Sequence, residues 1–159
     1  MKNLNRRDLC VALSAFAAMG CVAAGAQELV SPTRPGDKVL SESEAFLYDQ
    51  LPVSHSKNGG ASRHVTQGML PTGEYVEMHE TTLPSGEMPH PPHKHRHSEF
   101  MMIREGTVEF DNDGKKERVG PGGVIFAASG KMHGLKNVGD APAQYFVIAI
   151  GRESGVQRV

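Results

Sequence analysis

Glycine and proline recur so often in this chain that few segments between them are long enough for a helix of three turns. The 159 residues include 18 Gly and 10 Pro. Between these breaks, apolar and polar residues alternate with a period of two, as in strands that are buried on one face. The strand candidates are residues 75–83, 99–104, 107–110, 124–127, 133–137 and 144–150. Short strands at this spacing predict one all-β domain, a sandwich or a barrel, and not a parallel α/β sheet.

Turn-forming residues separate nearly all of these strand candidates. Asp113-Gly114 is typical of a tight two-residue hairpin. Residues 121–123 (Pro-Gly-Gly) and 137–140 (Asn-Val-Gly-Asp) are typical of wider turns. The turn chemistry therefore agrees with the period of the strands.

Residues 1–26 show the three parts of an export signal peptide. A basic start at Arg6 and Arg7 is followed by an apolar run over residues 9–24 and by small residues up to Ala26. We expect cleavage after Ala26, a periplasmic or secreted mature protein, and no membrane association once the signal is removed.

The paired arginines are followed by Asp8-Leu9 and resemble a twin-arginine signal. The Ala- and Gly-rich run that follows is only mildly hydrophobic, which favours the same class. A retained anchor helix is one alternative, because the run is close to the shortest length that spans a bilayer. Lipidation at Cys21 is another, although the large aliphatic residue expected three positions before the cysteine is missing.

Charge and cysteine content exclude several classes of function. The formal net charge is -1 at pH 7 with basic and acidic residues interspersed, so the chain offers no basic face to nucleic acid. Both cysteines, Cys10 and Cys21, lie in the predicted signal, so the mature protein would have neither disulfides nor thiolate ligands. Motifs for a serine nucleophile, a phosphate loop or a dinucleotide are missing. A metal is the reactive centre that remains.

The remaining chain divides into an N-terminal extension and linker over residues 27–62, a barrel over 63–151 and a tail over 152–159. Within the extension, Ser41-Glu42-Ser43-Glu44 fits a capping box and predicts a short helix through Gln50. A strand through residues 46–48 is the alternative. The Gly59-Gly60 pair marks a loop.

Four histidines lie close together, at positions 90, 93, 95 and 97. Alternate side chains of an extended strand share a face, so His93 and His95 would point the same way and Glu99 would return to that face. Two imidazoles and one carboxylate suit a divalent first-row metal. The sequence therefore predicts a metal site that includes these three side chains.

The same alternation assigns the neighbours of this set. His97 would point away from it, so His90 and His97 are expected to be loop or rim residues. Met101 and Ile103 would line the inside of the barrel.

Other polar residues could line a pocket, but the pattern favours surface or packing roles for them. In the strand candidate over residues 75–83, no signal says which face is inside. One face carries His79 and Thr81, and the other carries Met78, Glu80 and Thr82. Arg63 and His64 follow the Gly59-Gly60 loop and either close over the metal or lie in solvent.

Two motifs that cover most of residues 86–137 resemble those of the cupin family. The first reads Gly86-(six residues)-His93-x-His95-(three residues)-Glu99-(six residues)-Gly106. It has one residue more between the first glycine and His93 than is usual in the family. The second reads Pro121-Gly122-Gly123-Val124-Ile125-Phe126, then a turn, then His133-Gly134-Leu135-Lys136-Asn137. Gly123 stands where the family often has Asp.

The resemblance implies a small jelly-roll β-barrel with His93, His95, Glu99 and His133 as the metal ligands. It further implies one divalent transition metal. Mn or Fe is favoured by a nitrogen-rich site with one carboxylate, while Ni, Co, Cu or Zn would fit the same ligands.

Cupins with this ligand set are often dioxygenases, so the resemblance implies an exported enzyme that attacks a small oxygenated or aromatic compound oxidatively. The alternative is a non-catalytic cupin that binds a sugar or an organic acid in the barrel mouth, with a structural metal or none. The expected partner is a small molecule in either case, and a homodimer is possible.

Overall fold

The computed structural model describes residues 35–152, so the predicted signal peptide and nearly all of the predicted tail lie outside the described residues. The described part contains one 3-10 helix, Tyr48–Gln50, and nine strands. The strands are β1 (Val53–His55), β2 (Ala61–Met69), β3 (Tyr75–Leu83), β4 (Ser98–Glu105), β5 (Val108–Asn112), β6 (Lys115–Val119), β7 (Val124–Ala127), β8 (His133–Asn137) and β9 (Ala143–Ile150). The prediction of an all-β fold is confirmed. None of the helical structure within residues 35–152 has the length or the apolar character needed to cross a membrane.

The strands form two antiparallel sheets. The larger has the order β1-β2-β3-β9-β4-β7 and the smaller the order β6-β5-β8. Buried apolar side chains from both sheets pack together as one core, including Met101 and Tyr145 from the larger sheet and Phe110 and Leu135 from the smaller. The arrangement is that of a jelly-roll barrel.

The six strands expected from the sequence are all present, and β3, β7 and β8 have the expected bounds. Three strands were missed: β1, β2 and β6. The sequence of β2, Ala-Ser-Arg-His-Val-Thr-Gln-Gly-Met, has no alternation of apolar and polar residues. Strand β6 begins Lys-Lys-Glu-Arg and lies at the edge of its sheet, where charged side chains remain in solvent.

The helix predicted from the capping box at residues 41–44 is wrong, and so is the alternative strand over residues 46–48. Only the 3-10 turn Tyr48–Gln50 forms, and it begins after Leu47. Residues 41–47 are all exposed, so a helix there would have no apolar face to bury against the sheet. The segment is attached by Tyr48 instead, whose ring lies 4.6 Å from the Arg63 guanidinium carbon and 4.8 Å from that of Arg104.

The strand register decides which face of β3 is inside. Directly paired residues of an antiparallel sheet point to the same face. His79 pairs with Val147, which pairs with Met101, and both of these are buried in the core. His79 therefore faces the barrel interior, and so does His64, its partner on β2.

Glu80 points to the outer face of the same sheet, where it is fully buried. Its Oε2 accepts a hydrogen bond of 3.1 Å from Nη1 of Arg63. Arg63 therefore neither closes over the interior nor lies free in solvent, which were the two roles expected for it. It neutralises a buried carboxylate and stacks on Tyr48.

The turns agree with the sequence. Asp113 and Gly114 connect β5 to β6 with φ of 54° and 89°, as the expected tight hairpin requires. Gly106, between β4 and β5, has φ of 80°, and a Cβ at this position would lie 2.7 Å from Cα of Ala143. A Cβ on Gly114 would meet nothing within 4 Å.

We predict that Gly114→Ala costs about 1 kcal/mol of unfolding free energy, from backbone strain alone. Gly106→Ala should cost roughly 3 kcal/mol, because a clash with the backbone of β9 is added to the same strain. Urea denaturation of the two variants tests this. Equal losses would show that β9 yields to the added methyl group.

Candidate metal centre

The four side chains named by the two motifs come from separate parts of the fold. His93 and His95 lie in the segment before β4, Glu99 is the second residue of β4, and His133 is the first residue of β8. The backbones of His93 and His133 exchange two hydrogen bonds of 2.9 Å each, N–H of one to C=O of the other. This bridge holds the segment that leads into β4 against the first residue of β8 in the smaller sheet.

The imidazoles of His93, His95 and His133 surround a common point. Their ring centroids lie 4.7 to 5.0 Å apart, and one nitrogen of each lies within 4.8 Å of the others. Glu99 completes the group, with Oε1 3.3 Å from Nε2 of His95 and Oε2 3.7 Å from Nε2 of His133. The structure thus brings together the four side chains expected to be ligands, and their role as ligands remains a prediction.

Backbone carbonyls fix the tautomers of two of these rings. Nδ1 of His95 donates to the carbonyl of His97 at 2.8 Å, and Nδ1 of His133 donates to the carbonyl of Lys131 at 3.0 Å. A carbonyl only accepts, so in the neutral rings the proton is on Nδ1 and Nε2 presents a lone pair. Both lone pairs point toward the Glu99 carboxylate, which is itself an acceptor.

A cluster of converging acceptors fits a cation. Within residues 35–152, the buried Nδ1 of His93 and Nε2 of His133 have no hydrogen-bond partner. Buried polar atoms without partners are rare in folded proteins and call for an ion or another ligand. Imidazole nitrogens and one carboxylate are ordinary ligands of divalent first-row metals. The residues present therefore fit the metal that the motifs imply.

His97 contradicts the expected outward orientation. It is only 8% exposed, its ring stacks on that of His95 with centroids 3.6 Å apart, and its Nε2 donates to Oε1 of Glu99 at 2.9 Å. The alternation rule failed because β4 begins at Ser98, so His97 precedes the regular strand. The signal available in the sequence was the third histidine of a His-x-His-x-His run.

The remaining neighbours lie where the sequence placed them. His90 is exposed at the rim, and its ring makes an edge contact with that of His93 at 4.1 Å. Met101 and Ile103 are buried in the core, as expected for barrel lining.

The electrostatics of the cluster favour neutral imidazole beside ionised carboxylate. Burial and the neighbouring rings of His90, His133 and His95 lower the pKa of His93 to about 4. Burial alone would raise the pKa of Glu99, but hydrogen bonding with the surrounding imidazoles, among which Nε2 of His97 is the donor, holds this pKa well below its usual range. Metal ligands must be deprotonated, so both shifts prepare the site for a cation.

Residues 79–149 match the family model Cupin_2, described as a cupin domain. No curated protein matches the chain by sequence. Together with the fold, the family match supports the cupin superfamily.

Solved structures with the same fold include several enzymes. A polyketide cyclase, RemF from Streptomyces resistomycificus, is 18% identical with a TM-score of 0.59, over 74% of this chain and 86% of that one. A protein described as a predicted oxalate decarboxylase from Thermotoga maritima is 20% identical with a TM-score of 0.58, over 69% and 100%. A sugar phosphate isomerase of the cupin superfamily from Silicibacter pomeroyi is 20% identical with a TM-score of 0.57, over 69% and 76%. At these identities the likeness shows the fold alone.

We predict that Glu99→Ala and His133→Ala lose most of the affinity for a divalent metal, since each removes a converging donor. His97→Ala should weaken binding about tenfold, as expected for a residue that holds a ligand without being one. Titration with Mn(II), with His55→Ala on exposed β1 as the control, measures all four variants. If His97→Ala lost as much metal affinity as His133→Ala, His97 would have to be a ligand itself.

We also predict a specific acid sensitivity of the chain after its metal is removed with chelator. The low folded-state pKa of His93 means that only the unfolded chain gains this proton as the pH falls from 6.5 toward 4. Stability should therefore decline over this range. Glu99 contributes a further loss of folding stability only below pH 4.5, where its carboxylate takes up a proton in the unfolded chain.

The His93→Gln variant separates the contribution of His93 to the acid sensitivity from that of Glu99. Its melting temperature should fall less steeply than that of the wild type between pH 6.5 and 4.5, and a slope equal to the wild type would contradict the assignment.

Proposed function

We propose that this cupin barrel is a metal-dependent enzyme acting on a small oxygen-bearing compound, with one divalent ion held by His93, His95, Glu99 and His133. The observation that carries the proposal is the convergence of lone pairs from fixed imidazole tautomers on a carboxylate that is already ionised. Mn or Fe is favoured, because a nitrogen-rich set with one hard oxygen ligand suits either ion.

A bound ion of this kind would supply a Lewis acid with positions left open for oxygen donors. The chain's own residues prepare that site. The carbonyls of His97 and Lys131 hold His95 and His133 in the metal-binding tautomer. His97 Nε2 holds Oε1 of Glu99 and thereby orients the carboxylate.

The apolar side of the interior would exclude water from the reacting molecule. Met101, Ile103 and Val147 are buried on the inner faces of β4 and β9, next to the row that contains Glu99. A dry wall beside a metal strengthens electrostatic interactions and protects reactive species from hydrolysis. This environment and the ligand set support an oxidative, dioxygenase-like reaction on a small aromatic or oxygenated compound.

A second candidate is a binding protein without catalysis that takes a sugar or an organic acid. It is favoured by the polar inner surface of β2 and β3, where His64, Glu77, His79 and Thr81 can exchange hydrogen bonds with hydroxyl or carboxyl groups. The similar structures include proteins described as cyclase, decarboxylase and isomerase, which favours an enzyme over this alternative.

Metal content and oxygen uptake test the proposal together. The purified chain should contain about one Mn or Fe per molecule, and it should consume oxygen with at least one member of a panel of small phenols and diketones. Glu99→Gln should abolish uptake, whereas His55→Gln should not. A folded chain that takes up none of Mn, Fe, Ni or Zn would exclude the metalloenzyme. A metal-loaded chain that binds panel compounds without consuming oxygen would exclude the oxidative reaction.

A further inference from the structure

The inner surface of the barrel has two chemically different halves. On β4 and β9, beyond the row that contains Glu99, it is apolar, with Met101, Ile103 and Val147 in the core. On β2 and β3 the residues in the same rows are polar: His64, Glu77, His79 and Thr81. A core would select apolar side chains at these positions, so this half of the interior faces a polar molecule or solvent.

Two of these residues form a directed pair. Nδ1 of His79 lies 2.9 and 3.0 Å from the two carboxylate oxygens of Glu77. The carboxylate accepts, so Nδ1 carries the proton and Nε2 of the neutral ring presents a lone pair. Within residues 35–152, Nε2 of His79 makes no hydrogen bond. The side chains of His79 and Glu77 are 28% and 27% exposed, so a small molecule can reach them.

The pair lies on the same inner surface as the metal cluster. Glu77 is registered with Ala149, which is registered with Glu99. Two strand spacings separate Glu77 from Glu99, or roughly 10 Å between their Cα atoms. From the intervening strand only the methyl group of Ala149 projects between them. Glu77 and Glu99 thus lie on one face of the sheet with a small side chain between them, close enough for one small molecule to reach both the cluster and His79.

We propose that His79, oriented by Glu77, is the catalytic base for a small substrate with a weakly acidic hydroxyl, a phenol or an enol, held beside the cluster of His93, His95, Glu99 and His133. In this step the substrate O–H bond breaks and an N–H bond forms at Nε2. The electron pair stays on the substrate oxygen, and the imidazolium is neutralised by Glu77, which remains a carboxylate. The proposal rests on the proposed function, because the substrate is placed at the cluster.

A carboxylate hydrogen-bonded to Nδ1, as Glu77 is to His79, makes a histidine an effective base. A carboxylate on Nδ1 fixes the ring and its tautomer, and it stabilises the positive charge that develops when Nε2 takes the proton. A second histidine, His64, lies near the pair, with Nδ1 4.0 Å from Oε1 of Glu77. It is too far for a hydrogen bond, so the carboxylate is directed at His79.

The test uses 4-nitrocatechol, a small oxygen-donor phenol whose absorption spectrum distinguishes the hydroxyl from the oxyanion. The chain is saturated with the probe at one fixed pH, both loaded with redox-silent Zn(II) and free of metal, and the ratio of oxyanion to hydroxyl is measured. In the wild type the ratio should exceed that of the free probe in both forms. In His79→Gln it should fall about tenfold, because the cation that stabilises the oxyanion is lost.

Three further variants test whether Glu77 orients His79 or only stabilises the fold. Glu77→Gln should lower the ratio by a smaller factor, and Glu77→Asp should recover part of the loss. His55→Gln, on the outer face of the same sheet, should match the wild type. Zinc content and thermal unfolding, measured on every variant, should not change.

Each outcome decides between the proposals. An unchanged ratio in folded His79→Gln overturns the assignment of the base, as does failure of the probe to bind the wild type in either form. A wild-type chain that takes up no zinc overturns the metal site, and the metal-free comparison of wild type with His79→Gln still decides the role of His79.

Discussion

The backbone bridge between His93 and His133 is the contact on which the candidate site depends. Its two hydrogen bonds join the segment before β4 to the first residue of β8 and so tie the larger sheet to the smaller one. The bridge brings the rings of both residues to the same place, next to His95 and Glu99. Together with the hydrogen bond from the Gly130 N–H to the His95 carbonyl, it brings together donors that are more than 30 residues apart in sequence.

Around this bridge, hydrogen bonds orient the side chains of the candidate site. Backbone carbonyls accept hydrogen bonds from Nδ1 of His95 and of His133, and Nε2 of His97 donates a hydrogen bond to Oε1 of Glu99. These contacts leave acceptors facing one another in a buried space, an arrangement that is unfavourable unless a cation lies between them. The site is thus prepared by groups that would not touch the metal.

The sequence predicted the parts of this arrangement that depend on local patterns. Alternation located β3, β7 and β8 with their bounds and placed His93, His95 and Glu99 on one face, while the resemblance to cupin motifs added His133. Alternation could not predict β2, which carries polar residues on both faces, nor His97, which precedes the regular strand. The inward orientation of His79 depends on its pairing with Val147, a contact between residues far apart in the chain.

His133 lies on the small sheet, while the other three donors belong to the large one or to the segment that leads into it. An ion bound by all four would therefore act as a cross-link between the two sheets, much as a disulfide does in secreted proteins that have cysteines. Binding energy of this kind is also folding energy, because the separated sheets could not hold the ion. The barrel would then open and close as one cooperative unit when loaded, and its small sheet would detach more easily when empty.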